Sequence, residues 1–111
     1  MITILPVSTE LSINRSDDDR GVVLALSGEL DVVSAPQLEQ CLKEVLAQPD
    51  ARVLLDLNGL RFVDSAGVSV LIKAKKDAEA SGRAVVLRRP TEQLHRVFSL
   101  LGLADWLVYE D

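Results

Sequence analysis

Short apolar runs alternate with helix-like patterns along most of this chain, and this alternation constrains the fold more than any other feature. Continuous apolar runs at residues 22–26 and 53–57 are typical of strands covered on both faces, and residues 83–88 are predicted to form a third strand. Each run is followed by a segment with helical spacing. The sequence therefore predicts an α/β domain with a largely parallel sheet and right-handed crossovers.

Three amphipathic segments supply the predicted helices. The first begins near Ser34, where Gln37 three residues later predicts a capping box and Pro36 falls in the tolerant first turn. The second runs from about Ser65 to residue 81, and the third opens at residues 90–91. The first helix has apolar residues at helical spacing on one face: Leu38, Cys41, Leu42, Val45 and Leu46.

The two ends of the chain predict edge strands. Residues 11–14 alternate apolar and polar, which favours an antiparallel strand at or near an edge of the sheet. Residues 16–21 read as a polar, solvated turn. The tail at residues 106–109 predicts a further short edge strand, with Trp106 covering the sheet edge. At 111 residues the chain is expected to be one domain, 1–111, with its core within about 11–109.

Charge and cysteine content narrow the function classes. Twelve Lys and Arg against 17 Asp and Glu give a net charge of −5, which argues against binding nucleic acid through a basic stripe. No apolar run approaches the ~18 residues of a membrane helix, so no membrane insertion is expected. Residues 1–7 do not resemble a signal peptide, and the lone Cys41 cannot form an intrachain disulfide. We expect a soluble protein of the reducing cytoplasm.

Enzymatic chemistry finds little support. The only histidine, His95, lies among polar residues of the third predicted helix, away from any nucleophile motif. Residues 64–67 resemble the Asp-Ser-Gly of aspartic proteases but contain one residue too many and precede a helix. One histidine and one cysteine far apart make no metal site. We expect no catalytic activity, no metal and no cofactor.

A candidate site lies where two predicted strands end. The carboxyl ends of parallel strands meet at one edge of a sheet, so Asp31 and Ser65 should point to the same end. Either Asp64 or Ser65 is expected to cap the second helix. A phosphate on a hydroxyl there would meet free backbone N–H groups at the positive helix end. The alternative is that Asp64 and Ser65 are only a capping pair.

The chain resembles a STAS domain, the family of anti-sigma factor antagonists and of cytoplasmic domains of sulfate transporters. The order and spacing of several stretches carry this resemblance, which spans about residues 11–109. The matching stretches are Gly28-Glu29-Leu30-Asp31, Ser34-Ala35-Pro36-Gln37-Leu38, Val53-Leu54-Leu55-Asp56-Leu57, Phe62-Val63-Asp64-Ser65-Ala66-Gly67 and Leu100-Leu101-Gly102-Leu103.

The resemblance implies a regulatory switch at Ser65. In that family the matching serine is phosphorylated by a serine kinase that is itself the anti-sigma factor. Unphosphorylated antagonist binds this kinase and frees the sigma factor, and a protein phosphatase resets the system. The family usually has Ser or Thr where this chain has Ala66, which leaves Ser65 as the only hydroxyl of the motif.

Partner-binding residues are expected around that serine. They are Asp31, Ser34, Asp64, Ser65, Ser69 and Ile72. Ser69 and Ile72 follow Ser65 at i+4 and i+7 on the predicted helix, although Ile72 fits core packing equally well. We expect a monomer or weak dimer. The alternative function is a STAS scaffold or transport-associated subunit in which Ser65 only caps the helix.

Overall fold

The alternating pattern folds into a layered α/β structure. A computed structural model describes residues 10–48, 52–103 and 108–110. The strands are β1 (Leu11–Asp18), β2 (Gly21–Leu30), β3 (Val53–Val63), β4 (Val85–Arg88) and β5 (Val108–Glu110). The helices are α1 (Ala35–Leu46), α2 (Ser65–Ala80) and α3 (Glu92–Leu100). The predicted covering role of Trp106 lies outside the described residues.

One sheet of five strands in the order β1-β2-β3-β4-β5 organises the molecule. β1 pairs antiparallel with β2, and β2 to β5 run parallel. This confirms the predicted mixed, mostly parallel sheet, with β1 at one edge and the tail strand at the other. Because β2 to β5 are parallel, all their carboxyl ends lie at the same end of the sheet.

The core lies between the sheet and the helices. Leu38 of α1, Leu71 of α2 and Phe98 of α3 are at most 1 % exposed and belong to one apolar cluster. The same cluster takes in alternate residues of the central strands: Leu24, Leu26, Val53, Leu55, Leu57, Val85 and Leu87. Aliphatic burial on this scale is the main source of stability.

β3 is longer than the sequence predicts. The pair Asn58-Gly59 was expected to turn the chain, but β3 continues through it to Val63. A Cβ on Gly59 would lie 2.7 Å from the Cβ of Ser27 on β2. The glycine therefore serves a close approach of two strands at a register shift, where the sequence pattern suggested a turn.

The first hairpin is also tighter than predicted. Residues 16–21 were expected to form a turn, whereas β1 extends to Asp18 and β2 begins at Gly21. The ladder between β1 and β2 extends to the pairs Asp17–Val22 and Asp18–Gly21. Cross-strand hydrogen bonding thus outweighs the repulsion of adjacent carboxylates, and the acidic side chains stay exposed.

Candidate functional site

The ends of β2 and β3 meet where the sequence predicts a site. The backbone N–H of Asp64 donates to the carbonyl of Leu30 over 3.1 Å, which joins the start of α2 to the end of β2. Asp31 follows Leu30 directly, and Ser65 follows Asp64. The prediction that Asp31 and Ser65 lie at the same end of the sheet is therefore confirmed.

Asp64 is the N-cap of α2 and connects that helix to the loop after β2. Its Oδ1 accepts from the backbone N–H of Gly67 over 3.0 Å. Its Oδ2 accepts from the backbone N–H of Val32 over 3.0 Å. Of the two candidate caps, Asp64 fills the position, and its second oxygen fixes a segment 32 residues away in sequence.

Ser65 is the first residue of α2, and its side chain is exposed. Among the described residues its hydroxyl makes no hydrogen bond, while its carbonyl accepts from the Ser69 hydroxyl over 2.9 Å. The hydroxyl thus stands at the positive end of the helix dipole with access to solvent. It is the most available nucleophilic oxygen of the motif.

Asp31 and Ser34 form a closed turn between β2 and α1. The N–H of Asp31 donates to the Ser34 hydroxyl oxygen over 2.9 Å, and the N–H of Ser34 donates to Oδ1 of Asp31 over 3.0 Å. The Ser34 hydroxyl in turn donates to the carbonyl of Glu29 over 2.8 Å. Both residues are buried, at 8 % and 5 % exposure.

The predicted capping box at Ser34 is wrong in its contacts. Ser34 does occupy the N-cap position of α1, but its hydroxyl makes no capping hydrogen bond. Gln37 donates through Nε2 to the carbonyl of Leu11 over 3.0 Å and does not reach back to the cap. The hydroxyl closes the turn with Asp31 instead, because the buried turn leaves more polar groups to satisfy than the helix end does.

Two exposed valines lie between those buried residues, and they were not among the residues predicted for the site. Val32 and Val33 are 68 % and 72 % exposed. Their side chains stand out of the turn that Asp31 and Ser34 close. The signal was present, since two adjacent β-branched residues followed a predicted strand end without helical or strand periodicity.

The remaining predicted residues lie on α2. Ser69 is exposed one turn after Ser65. Ile72 is half-buried and packs against the core cluster, which agrees with its core-packing interpretation.

Gly67 brings the helix start close to β2, since a Cβ there would lie 2.7 Å from the carbonyl oxygen of Leu30. The four residues Asp31, Ser34, Asp64 and Ser65 are thus brought together, with Ser69 beside them.

A second polar cluster lies away from this site, on the central strands. The buried Asp56 carboxylate pairs with Arg89 and lies 3.6 Å from Nη2 of Arg88. Burial raises the pKa of Asp56. Hydrogen bonds from Arg89 and from the N–H of Asn58 lower it, and so do the charges of both arginines. The lowering prevails, so the pKa of Asp56 lies below its ordinary value. The cluster is an ion-pair network that ties β3 to the end of β4.

Neither metal nor thiol chemistry is indicated within the described ranges. Across residues 10–48, 52–103 and 108–110, no group of three or more His, Cys, Asp or Glu side chains could hold a metal ion. No helix of those ranges is long and apolar enough to cross a membrane. Burial and the nearby Glu44 raise the pKa of the half-buried Cys41, which disfavours its reactive thiolate.

Comparison with known proteins identifies the family of this arrangement. A family model described as "Mlab, STAS domain" matches residues 13–109. The anti-sigma F factor antagonist of Lysinibacillus sphaericus is 30 % identical over 88 residues, covering 78 % of this chain and 75 % of that protein. The anti-sigma-B factor antagonist of Bacillus subtilis is 28 % identical over 95 residues, covering 86 % of each chain.

Solved structures agree with the sequence relatives. An anti-sigma factor antagonist from Mycobacterium paratuberculosis aligns with a TM-score of 0.76 at 29 % identity, covering 95 % of this chain and 89 % of that chain. The phosphorylated form of a Bacillus cell fate determinant aligns with a TM-score of 0.71, covering 90 % and 92 % of the two chains. At 24 % identity, that second likeness shows the shared fold.

Proposed function

Because the chain belongs to the STAS domain family, we propose that it is an anti-sigma factor antagonist switched by phosphorylation of Ser65. The unphosphorylated form binds an anti-sigma factor serine kinase in the cytoplasm and so releases a sigma factor. Phosphorylation abolishes this binding, and a protein phosphatase restores it. The chain acts by binding and carries no catalytic activity of its own.

The exposed hydroxyl of Ser65 at the start of α2 carries this proposal. A kinase needs an accessible hydroxyl, and this one is exposed and free of hydrogen bonds among the described residues. A phosphoryl group there adds about −1.5 to −2 charges at pH 7 beside the positive end of α2. The carboxylate of Asp64 opposes it, but that carboxylate already accepts two backbone hydrogen bonds. The cost within the protein is therefore modest.

The effect on a bound partner is much larger. A dianion placed without a partner in a desolvated interface costs several kcal/mol. A penalty of roughly 4 kcal/mol weakens affinity about a thousandfold. A small change at one exposed side chain thus suffices to separate two proteins.

The proposed docking surface surrounds Ser65. Asp64 and Ser69 flank it directly, and the exposed edge of Ile72 extends it along α2. Asp31 and Ser34 are assigned to the same surface as the residues that shape its loop, since both are buried. Their contribution to binding is therefore through the geometry of the turn.

Paired baits test the function. Ser65→Ala and Ser65→Asp variants are used to capture proteins from lysate of the source organism. We expect an ATP-binding serine kinase on the alanine bait and its loss from the aspartate bait. If both baits retain the same proteins, such as transport subunits, then Ser65 is only a helix residue and the chain is a STAS scaffold.

A further inference from the structure

The tip of the loop between β2 and α1 exposes apolar side chains near the start of α2. Among the described residues, five large hydrophobic side chains are exposed: Val32, Val33, Phe62, Leu100 and Leu101. The first three lie at the carboxyl ends of β2 and β3, the end that also holds Ser65. Leu100 is the last residue of α3 and Leu101 is its C-cap. This end of α3 lies at the opposite end of the sheet, because a crossover helix runs antiparallel to its strands.

Hydrogen bonds hold the backbone of this tip in place, although the side chains of both valines are exposed. The backbone N–H of Val33 donates to Oδ1 of Asp31 over 2.9 Å, and the N–H of Val32 donates to Oδ2 of Asp64 over 3.0 Å. Ser34 closes the turn from the other side. A loop already held in one conformation loses little entropy when it binds, so each valine contributes its apolar area at low cost.

The charges around the tip indicate which kind of partner surface it can bind. The half-buried carboxylates of Glu29 and Asp64 lie beside the loop, and Arg61 is the exposed cation nearby in sequence. The carboxylate of Asp31 is buried within the turn and adds to the negative charge there. Two exposed valines in a mainly acidic neighbourhood suit a shallow apolar pocket rimmed by Lys or Arg side chains. A phosphoryl group on the neighbouring Ser65 would then lie at the edge of a desolvated contact, where the cations of the rim already pair with these carboxylates and leave the phosphoryl group unpaired.

We propose that Val32 and Val33 are the apolar anchor of the interface with the anti-sigma factor kinase, and that Asp64 is the positioning residue that holds this anchor beside Ser65. The proposal rests on the proposed function and adds the contact that gives the interface its affinity. The kinase is expected to present a nonpolar pocket with a basic rim. The tie between Val32 and Asp64 places the anchor and the phosphorylated residue in a single interface.

A double variant tests the anchor. Val32→Ser with Val33→Ser is titrated calorimetrically against the purified kinase captured by the Ser65→Ala bait. A minority of interface residues carries most of the binding energy, and an anchor must belong to that minority, so we expect affinity at least about 30-fold weaker. The matched control is Leu100→Ser, which removes a side chain that is 80 % exposed at the other end of the molecule. The control should bind as the unchanged protein does.

Asp64→Asn tests the positioning role. An asparagine keeps one acceptor oxygen, so it still caps α2, but its amide group cannot accept from the N–H of Val32 as well. We expect faster amide hydrogen exchange at Val32 and affinity about five- to tenfold weaker, with a nearly unchanged melting temperature. Affinity and exchange equal to those of the unchanged protein would overturn the role of Asp64.

Failure of the anchor is distinguishable from failure of the function. If the unchanged protein binds the kinase and the double variant binds equally well, the anchor is wrong and the switch stands. If the unchanged protein neither binds a kinase nor accepts phosphate from one, the proposed function is wrong and the anchor falls with it.

Discussion

Asp31 and Ser34 each bond to the backbone of the other, with N···O distances of 2.9 and 3.0 Å. The exchange closes the turn between β2 and α1 and turns two polar side chains inward. As a result the residues between them, Val32 and Val33, face solvent. The shape of the site next to Ser65 thus depends on a pair of buried polar groups.

Replacing Ser34 by alanine should destabilise the fold. The change leaves the N–H of Asp31 and the carbonyl of Glu29 without their hydroxyl partner. Unsatisfied buried groups cost about 1–3 kcal/mol, and we expect the free energy of unfolding in urea to fall by that amount. Ser69→Ala is the control, since its exposed hydroxyl should contribute within ~0.5 kcal/mol. Equal stability of the two variants would contradict the buried role of Ser34.

Replacing Gly67 by alanine should also destabilise the fold, although alanine is the better helix former. The new Cβ would lie 2.7 Å from the carbonyl oxygen of Leu30, and neither backbone can move freely. We expect a loss of about 1–3 kcal/mol in urea unfolding, with disturbed binding at the site. Gly82→Asn is the control, because that position has open space and a φ of 71° that asparagine tolerates. A stabilising Gly67→Ala would contradict this packing.

The ion pairs of Asp56 should make the free energy of unfolding depend on pH in the acid range. Because the folded pKa of Asp56 lies below its ordinary value of 3.8, the carboxylate stays charged in the folded protein at a pH that protonates it in the unfolded chain. Its contribution is complete above the unfolded pKa and is lost as pH falls through the folded pKa. At pH 7 we expect Asp56→Asn to cost about 1–3 kcal/mol.

That cost should shrink in acid. Urea unfolding at pH 7, 5 and 3 gives the difference in free energy of unfolding between the unchanged protein and Asp56→Asn. We expect this difference to be the same at pH 7 and pH 5 and smaller at pH 3. The control, Asp77→Asn, removes an exposed partner of Lys73 and should change stability little at any pH. A gap for Asp56→Asn that is the same at pH 3 and pH 7 would exclude the ion-pair network as its source.

Changes at Ser65 itself should leave the fold intact. The N-cap is Asp64, so Ser65→Ala should alter the free energy of unfolding by no more than ~0.5 kcal/mol. Ser65→Asp should fold as well, since an acidic residue suits the first turn of a helix. Asp64→Ala is the contrasting variant and should cost about 1–2 kcal/mol. Unfolding of Ser65→Asp would leave it useless as a phosphate mimic and undermine the switch.

The order of elements could be predicted because each element has a strong local period. Apolar runs marked the three central strands, and helical spacing marked α1, α2 and α3. Element ends were less accessible, since pairing decides them. β3 runs through Asn58-Gly59 because Gly59 pairs closely with Ser27, a contact between strands that no local pattern encodes.

The position of the site could be predicted, but its contacts could not. Parallel strand ends bring Asp31 and Ser65 to one edge, which follows from topology alone. The role of Ser34 depended on which acceptor its hydroxyl finds in three dimensions, and a serine before a helix predicts a cap far more often than a closed loop. The tie from Asp64 to Val32 joins residues 32 apart, beyond any motif.

The most direct test of the central claim follows the phosphoryl group and the affinity together. The purified protein is incubated with the captured kinase and ATP, and the modified residue is located by mass spectrometry. Calorimetry then compares the kinase affinity of both forms. We predict one phosphoryl group, on Ser65, and binding at least about a hundredfold weaker. Phosphate on another residue, or equal affinity of the two forms, would contradict the account.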